Sequence, residues 1–148
     1  MTAISHALIG ASLAAGIPHP AVAVAASLVA HFVCDAIPHW DIGTNWRLRP
    51  KVITGSLAIL ENIFALWGLF FLFSPFIRNQ TVLFLCLAAS LVPDWLEAPY
   101  YLFPKSAPKI FYHIYKFQSR FHGRLQPPVG ILIQIAVVSL FLIFGFAA

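Results

Sequence analysis

The sequence predicts an all-α fold, a polytopic membrane bundle of about five helices with a short interfacial amphipathic helix, as a single integral-membrane domain over residues 1–148. Three observations predict it. Charged residues make up 9% of the chain and hydrophobic ones 60%, whereas a soluble domain carries roughly 25% charged. The apolar residues fall in long runs, several reaching the about 20 residues needed to cross a bilayer core. The bases lie almost entirely between those runs, as loops flanking membrane spans require.

The first forty residues predict two helices. Ile4 to Ile17 is apolar but short, and Ala21 to Ile37 runs apolar again after Pro18-His19-Pro20. Proline lacks a backbone donor and disfavours helix in the residue before it, so the two helices should meet at a tight turn. Both are rich in small residues, including Gly10, Ala11, Ala14, Ala23, Ser27 and Ala30. In lipid such residues let backbones approach closely, so these helices are expected inside the bundle. No base precedes Arg47, so there is no n-region of a cleavable signal peptide and residues 1–30 are expected to remain.

Val52 to Phe73, Thr81 to Phe103 and Pro128 to Ala147 are long enough to span. The Leu- and Phe-rich first and last of these are expected to face lipid. Between the last two, Ile110, Ile114, Phe117 and Phe121 follow helical spacing, with Lys109, His113, Lys116 and Arg120 as the opposite stripe. That pattern describes the helix lying among lipid headgroups.

The net charge of +4 comes from nine bases and five acids. Arg47, Arg49 and Lys51 share one loop, and Lys105, Lys109, Lys116, Arg120 and Arg124 share another two spans later, leaving Arg78 on the other side. The positive-inside rule then makes that crowded side cytoplasmic. Trp40, Trp46, Trp95, Tyr100 and Tyr101 fall near the same boundary as an aromatic belt. Membrane lipids, and no nucleic acid, are the partners this charge distribution implies. Cys34 and Cys86 lie inside apolar runs and make no disulfide framework.

All five acids, Asp35, Asp41, Glu61, Asp94 and Glu97, lie in or beside spans. Ionisable groups there cost at least about 2.5 kcal/mol, which makes them functional candidates. The densest group is His31-Phe-Val-Cys-Asp35-Ala-Ile-Pro38-His39-Trp40-Asp41. His31 and Asp35 are one helical turn apart and can face one cation or two adjacent ones; the bland alternative is a hydrogen-bonded pair that locks helix packing. Pro38 should end the helix and turn His39 and Asp41 back toward the same place. Pro93-Asp94-Trp95 echoes Pro38-His39-Trp40-Asp41 and should bring a second acidic span end, with Glu97, to the same membrane face. His6 starts the first helix at that level. Glu61 lies deeper, as a ligand, a proton carrier or a partner of a ligand.

The expected metal ligands are therefore His6, His31, Asp35, His39 and Asp94. Glu97 or Asp41 is the expected catalytic base, and Arg120, Arg124 and His122 the groups that would hold a substrate phosphate. Mixed nitrogen and oxygen donors suit a divalent ion, with zinc the first expectation and manganese or iron compatible. With no Gly-rich phosphate loop, serine elbow or nucleophilic cysteine site, covalent catalysis finds no motif.

These residues carry two resemblances. His6, the Asp35 to Asp41 segment, Pro93-Asp94 and His122 make the chain similar to the inner-membrane metal-dependent hydrolases, including the LexA-regulated group. His31-Phe32-x-x-Asp35 followed by Pro38-His39 resembles the zinc-ligand helix of zinc-dependent phospholipases C. The resemblances imply hydrolysis of a phosphoester or related bond in a lipid or lipid-linked substrate, at the cytoplasmic face of a bacterial inner membrane. A small ion- or proton-coupled transporter using Glu61 and a non-catalytic membrane protein with a structural metal are the alternatives.

Overall fold

Thr2 sets the start of the first helix: its hydroxyl accepts from the Ser5 N–H at 3.3 Å, satisfying one of the donors that a helix leaves orphaned at its N-terminus. Helix α1 runs Ala3–Gly16 and α2 Pro20–Ala36, with Pro20 in the first turn of α2, where its missing N–H costs nothing. The chain leaves α2 at Ile37 in extended conformation, as the residue before a proline must. The computed structural model describes residues 1–44, 48 and 50–147. Trp46 of the expected aromatic belt, with Arg47 and Arg49 of the expected basic loop, lies outside the described residues.

Helix α3 spans Lys51–Phe73 and contains a π-helical turn at Phe64–Gly68. Helix α4 is Gln80–Leu102, opened by the Asn79 side chain accepting from the Val82 N–H at 3.1 Å. Helix α5 is Lys109–Gln118 and α6 is Val129–Phe146. No strand occurs among the described residues; one isolated parallel bridge joins His39 and Arg124. Among the described residues three helices, α3, α4 and α6, are long and apolar enough to cross a membrane, whereas α1 and α2 are shorter apolar helices.

Two elements differ from the sequence reading. The span expected from Thr81 to Phe103 is α4, Gln80–Leu102, and Pro93, taken from its echo of Pro38 as a span end, lies inside it, as does Pro99. An interior proline removes the hydrogen bond to the carbonyl four residues earlier and costs about 3 kcal/mol; beside it, Ser90 O accepts from His31 Nδ1 at 2.8 Å and Pro93 O from Gln118 Nε2 at 2.8 Å, which tie α4 to α2 and α5. The amphipathic pattern ran to Phe121, but α5 ends at Gln118. Arg120 and Phe121 occupy a turn instead, because the chain reverses there to lie along the end of α2.

Helix α1 is central, packed against α2, α4 and α6. Its Ala3, Ala7 and Ala11 form one apolar cluster with Leu83, Leu87 and Leu91 of α4 and Ala65 and Leu69 of α3. Ile9 and Leu13 form another with Ala30, Cys34 and Val138. The small residues act as expected: a Cβ on Gly10 would sit 2.8 Å from the Cys86 carbonyl oxygen, and one on Gly145 would run into the Ser12 backbone. Both cysteines are buried and free.

Away from this centre the surface is apolar. Leu60 and Phe71 on α3 and Leu132 and Leu140 on α6 are exposed, Leu140 at 67%. Contiguous apolar surface of this extent is rare on soluble monomers and is what a lipid-facing helix presents. Buried polar residues gather instead at one end of the bundle, where α1 begins and α2 ends.

Candidate metal centre

The antiparallel pairing of α1 and α2 brings His6, in the second turn of one, beside His31 and Asp35, in the last turns of the other; the His6 and His31 rings stack with centroids 4.0 Å apart. Helix α4 supplies Asp94. The extended segment after α2 supplies His39 and Asp41, and the segment after α5 supplies His122. Backbone hydrogen bonds join those two segments: Gly123 N–H donates to Asp35 O at 2.7 Å, His39 N–H to Gly123 O at 2.9 Å and Leu125 N–H to His39 O at 2.8 Å. Gly123 permits this approach, since a Cβ there would lie 2.9 Å from the Ala36 carbonyl oxygen.

The Asp35 carboxylate is the hub. Its Oδ1 lies 3.0 Å from His6 Nε2 and 3.6 Å from His39 Nε2, and its Oδ2 lies 3.5 Å from both His31 Nε2 and His122 Nδ1. The α-amino group of Met1 also contacts Oδ1. His31 Nε2 is 3.7 Å from Asp94 Oδ1. On the other side, His39 Nε2 is 3.1 Å and Asp41 Oδ2 2.7 Å from His122 Nε2. One donor atom each from His6, His31 and Asp94 falls within 4.8 Å of the others, and the same holds for Asp35, His39 and His122.

Two imidazoles are oriented as metal ligands usually are, with one ring nitrogen on a backbone carbonyl. His31 Nδ1 donates to Ser90 O at 2.8 Å and His39 Nδ1 to Ile37 O at 2.7 Å. In each neutral ring the lone pair is then on Nε2, aimed at carboxylate oxygens. A lone pair facing an anion is repulsive unless a proton or a cation stands between them. His31 Nε2 is buried with no hydrogen-bond partner, as is His6 Nδ1, and buried polar atoms are rarely left so. The 3.5–3.7 Å gaps from His31 to Asp35 and Asp94 are longer than a hydrogen bond. They match the about 3.4 Å between neighbouring donors that tetrahedral bonds of about 2.1 Å produce. The donor set fits a divalent ion.

Asp41 is held on both oxygens. Thr44 Oγ1 donates to Oδ1 at 2.8 Å, and His122 meets Oδ2. Burial alone would push this carboxyl up, but His122 and the nearby His39 hold it well below the usual carboxylate range. It therefore stays charged and orients His122.

A cavity of about 430 Å³ opens beside the cluster between α3 and α4. Asp41, Glu61, Asp94, Glu97, His122 and Arg124 all line it. Glu97 is buried, one turn beyond Asp94. Glu61 accepts from the Ile4 N–H at 3.3 Å. Arg124 Nη2 donates to Tyr101 Oη at 2.9 Å, and its Nε lies 3.9 Å from Asp41 Oδ2. Arg120 is exposed and is not part of this lining. The structure thus brings together His6, His31, Asp35, His39 and Asp94 and adds His122, which the sequence reading had assigned to phosphate. His19 and His113 are exposed, away from the cluster.

Four participants were not anticipated. The Ser90 and Ile37 carbonyls carry no side-chain signal. Thr44 had one, lying three residues after Asp41 at the spacing of a local side-chain cap. Tyr101 had been read only as an interfacial aromatic. Fold and site together define an all-helical protein with three helices able to cross a membrane and a buried His/Asp centre able to hold metal. Comparison with family models, curated proteins and solved structures finds no match to this chain.

Proposed function

We propose that this protein is a membrane-embedded, metal-dependent hydrolase that cleaves a phosphoester or related bond of a lipid or lipid-linked substrate. In this reading the five apolar helices form the membrane domain, α5 lies among headgroups, and the site faces the cytoplasm across a bacterial inner membrane. It would be a relative of the inner-membrane metal-dependent hydrolases. The observation that carries the reading is the Asp35 carboxylate standing between two groups of buried His and Asp donors.

His6, His31 and Asp94 would hold one ion and His39 and His122 a second, with Asp35 between them. When bound, such ions polarise a phosphoryl oxygen and lower the pKa of water toward about 7; zinc, manganese and iron all suit the donors. The protein's own groups supply the rest. Glu97, buried beside the cluster, takes a proton from the attacking water. The water oxygen bonds to phosphorus, the ester P–O bond breaks, and the proton that Glu97 took up passes to the leaving alcohol. Arg124 holds the phosphate through charge-assisted hydrogen bonds, and Asp41 keeps His122 in place.

Metal analysis of the purified protein together with turnover of a phosphodiester tests this. Bound divalent metal and metal-dependent turnover, both lost in Asp35→Ala with helix content intact, are the expected results. Metal without turnover, and unfolding on chelation, would instead identify a structural ion.

A further inference from the structure

The cavity beside the metal centre has a second end. Its walls include Ala58, Ile59, Ile63 and Trp67 of α3 and Leu102 of α4. Ile59, Ile63 and Trp67 are also exposed, at 54%, 54% and 48%. The same side chains therefore line the cavity and face outward from α3, which puts the mouth on the side of the bundle where the surface is apolar. The two helices meet on either side of the cavity: at Gly55, where a Cβ would come 3.0 Å from Leu102 Cδ2, at Trp95, whose Nε1 donates to Asn62 Oδ1 at 2.8 Å, and further along, where the Trp67 and Phe70 rings pack on Phe84. Between these contacts the cavity separates α3 from α4. At the inner end the lining changes to Asp94, Glu97, His122 and Arg124.

One end is apolar and open to the side; the other is polar, carries a guanidinium and borders a site for divalent ions. We propose that this cleft admits a phosphate-bearing diacyl lipid laterally from the bilayer, its chains between α3 and α4 and its phosphate against Arg124. The acids Asp41, Glu61, Asp94 and Glu97 share the lining with Arg124, so it is with divalent ions held among them that the polar end matches a phosphate, while the apolar end matches acyl chains. A peptide helix would leave Arg124 and the metal donors unmatched, and a free phosphate would leave the apolar walls empty. The proposal deepens the hydrolase reading by naming the substrate class and its route, but lipid binding is measurable whether or not the lipid is cleaved.

The test uses the full-length, metal-loaded protein in detergent micelles, with native mass spectrometry counting bound dioleoyl phosphatidate. The expected result is one phosphatidate per chain, bound in preference to dioleoylglycerol and not displaced by inorganic phosphate at equal concentration. Ala58→Trp and Ile59→Trp, which fill the apolar end, should each weaken binding about tenfold or more, as should Arg124→Gln at the polar end. Leu140→Trp, on the exposed face of α6, should bind as the wild type does. Ile59 is exposed, so its tryptophan variant folds even where Ala58→Trp does not, and metal content of each variant confirms that the site is intact. Wild-type binding in Ile59→Trp, or equal binding of dioleoylglycerol, overturns the proposal. Cleft-dependent binding of phosphatidate with no hydrolysis of it or any other phosphoester leaves the cleft standing and overturns the hydrolase reading.

Discussion

His31 Nδ1 donates to the Ser90 carbonyl at 2.8 Å, and the opposite ring nitrogen is left buried with no hydrogen-bond partner. One bond thus fixes the plane of the ring, the tautomer of its neutral form and the direction of its free lone pair. That direction is toward Asp35 and Asp94. A residue whose only task was to lock two helices together would have both nitrogens engaged.

The hub carboxylate gives the sharpest expectation. Asp35→Asn keeps the shape of the side chain but removes the charge that faces four histidines. Metal content by elemental analysis should fall to background while circular dichroism stays that of the wild type. Undiminished metal in this variant would place the ions elsewhere.

His39 is oriented by the Ile37 carbonyl, and its free nitrogen meets His122. His39→Phe preserves a ring of similar size and removes both nitrogens. Metal stoichiometry should drop, and the affinity of what remains should weaken by about 10- to 100-fold, the usual cost of disturbing a ligand or its support. Competition against a calibrated chelator measures it.

Protons compete with metal for imidazole nitrogens, so metal retention should decline as the pH is lowered from 7 toward 5. The Asp41 carboxyl is held well below the usual carboxylate range by His122 and His39 and gains its proton only at still lower pH. Its charge should survive that titration. Dialysis across this range should release metal with a histidine-like profile, and release confined to pH below 4 would argue for carboxylate-only binding.

The glycines of α1 and α6 should tolerate little. Gly145→Val pushes side-chain atoms into the Ser12 backbone, and Gly10→Val pushes them against the Cys86 carbonyl. Each should destabilise the bundle by about 1–3 kcal/mol, the range for overpacking. Thermal unfolding in detergent provides the measurement, with Leu132→Val on the exposed face of α6 as the control.

The helical class and the apolar spans were legible in the sequence because hydropathy and length alone determine them. Close approach of α1 to its neighbours was legible too, since small residues in apolar runs have few other uses. The cluster from His31 to Asp41 stood out because acids rarely occur in such runs. The extent of α4 was legible as well, but not the contacts made beside Pro93, since His31 and Gln118 come from distant segments. His122 was ambiguous for the same reason. Its place depends on the backbone bonds of Gly123 to Asp35 and His39, and a glycine in a loop does not announce what it lies against.

Those backbone bonds have a consequence for biosynthesis. The donors are contributed in the order His6, His31, Asp35, His39, Asp94 and His122, so a nascent chain inserts α1 to α4 with the cluster still missing a member. Only when the segment after α5 folds back along the end of α2 is the set complete. Metal uptake would then report that the chain has been threaded correctly as far as the segment after α5, and a ribosome-stalled intermediate ending in α5 would be distinguished from the finished protein by its ion content.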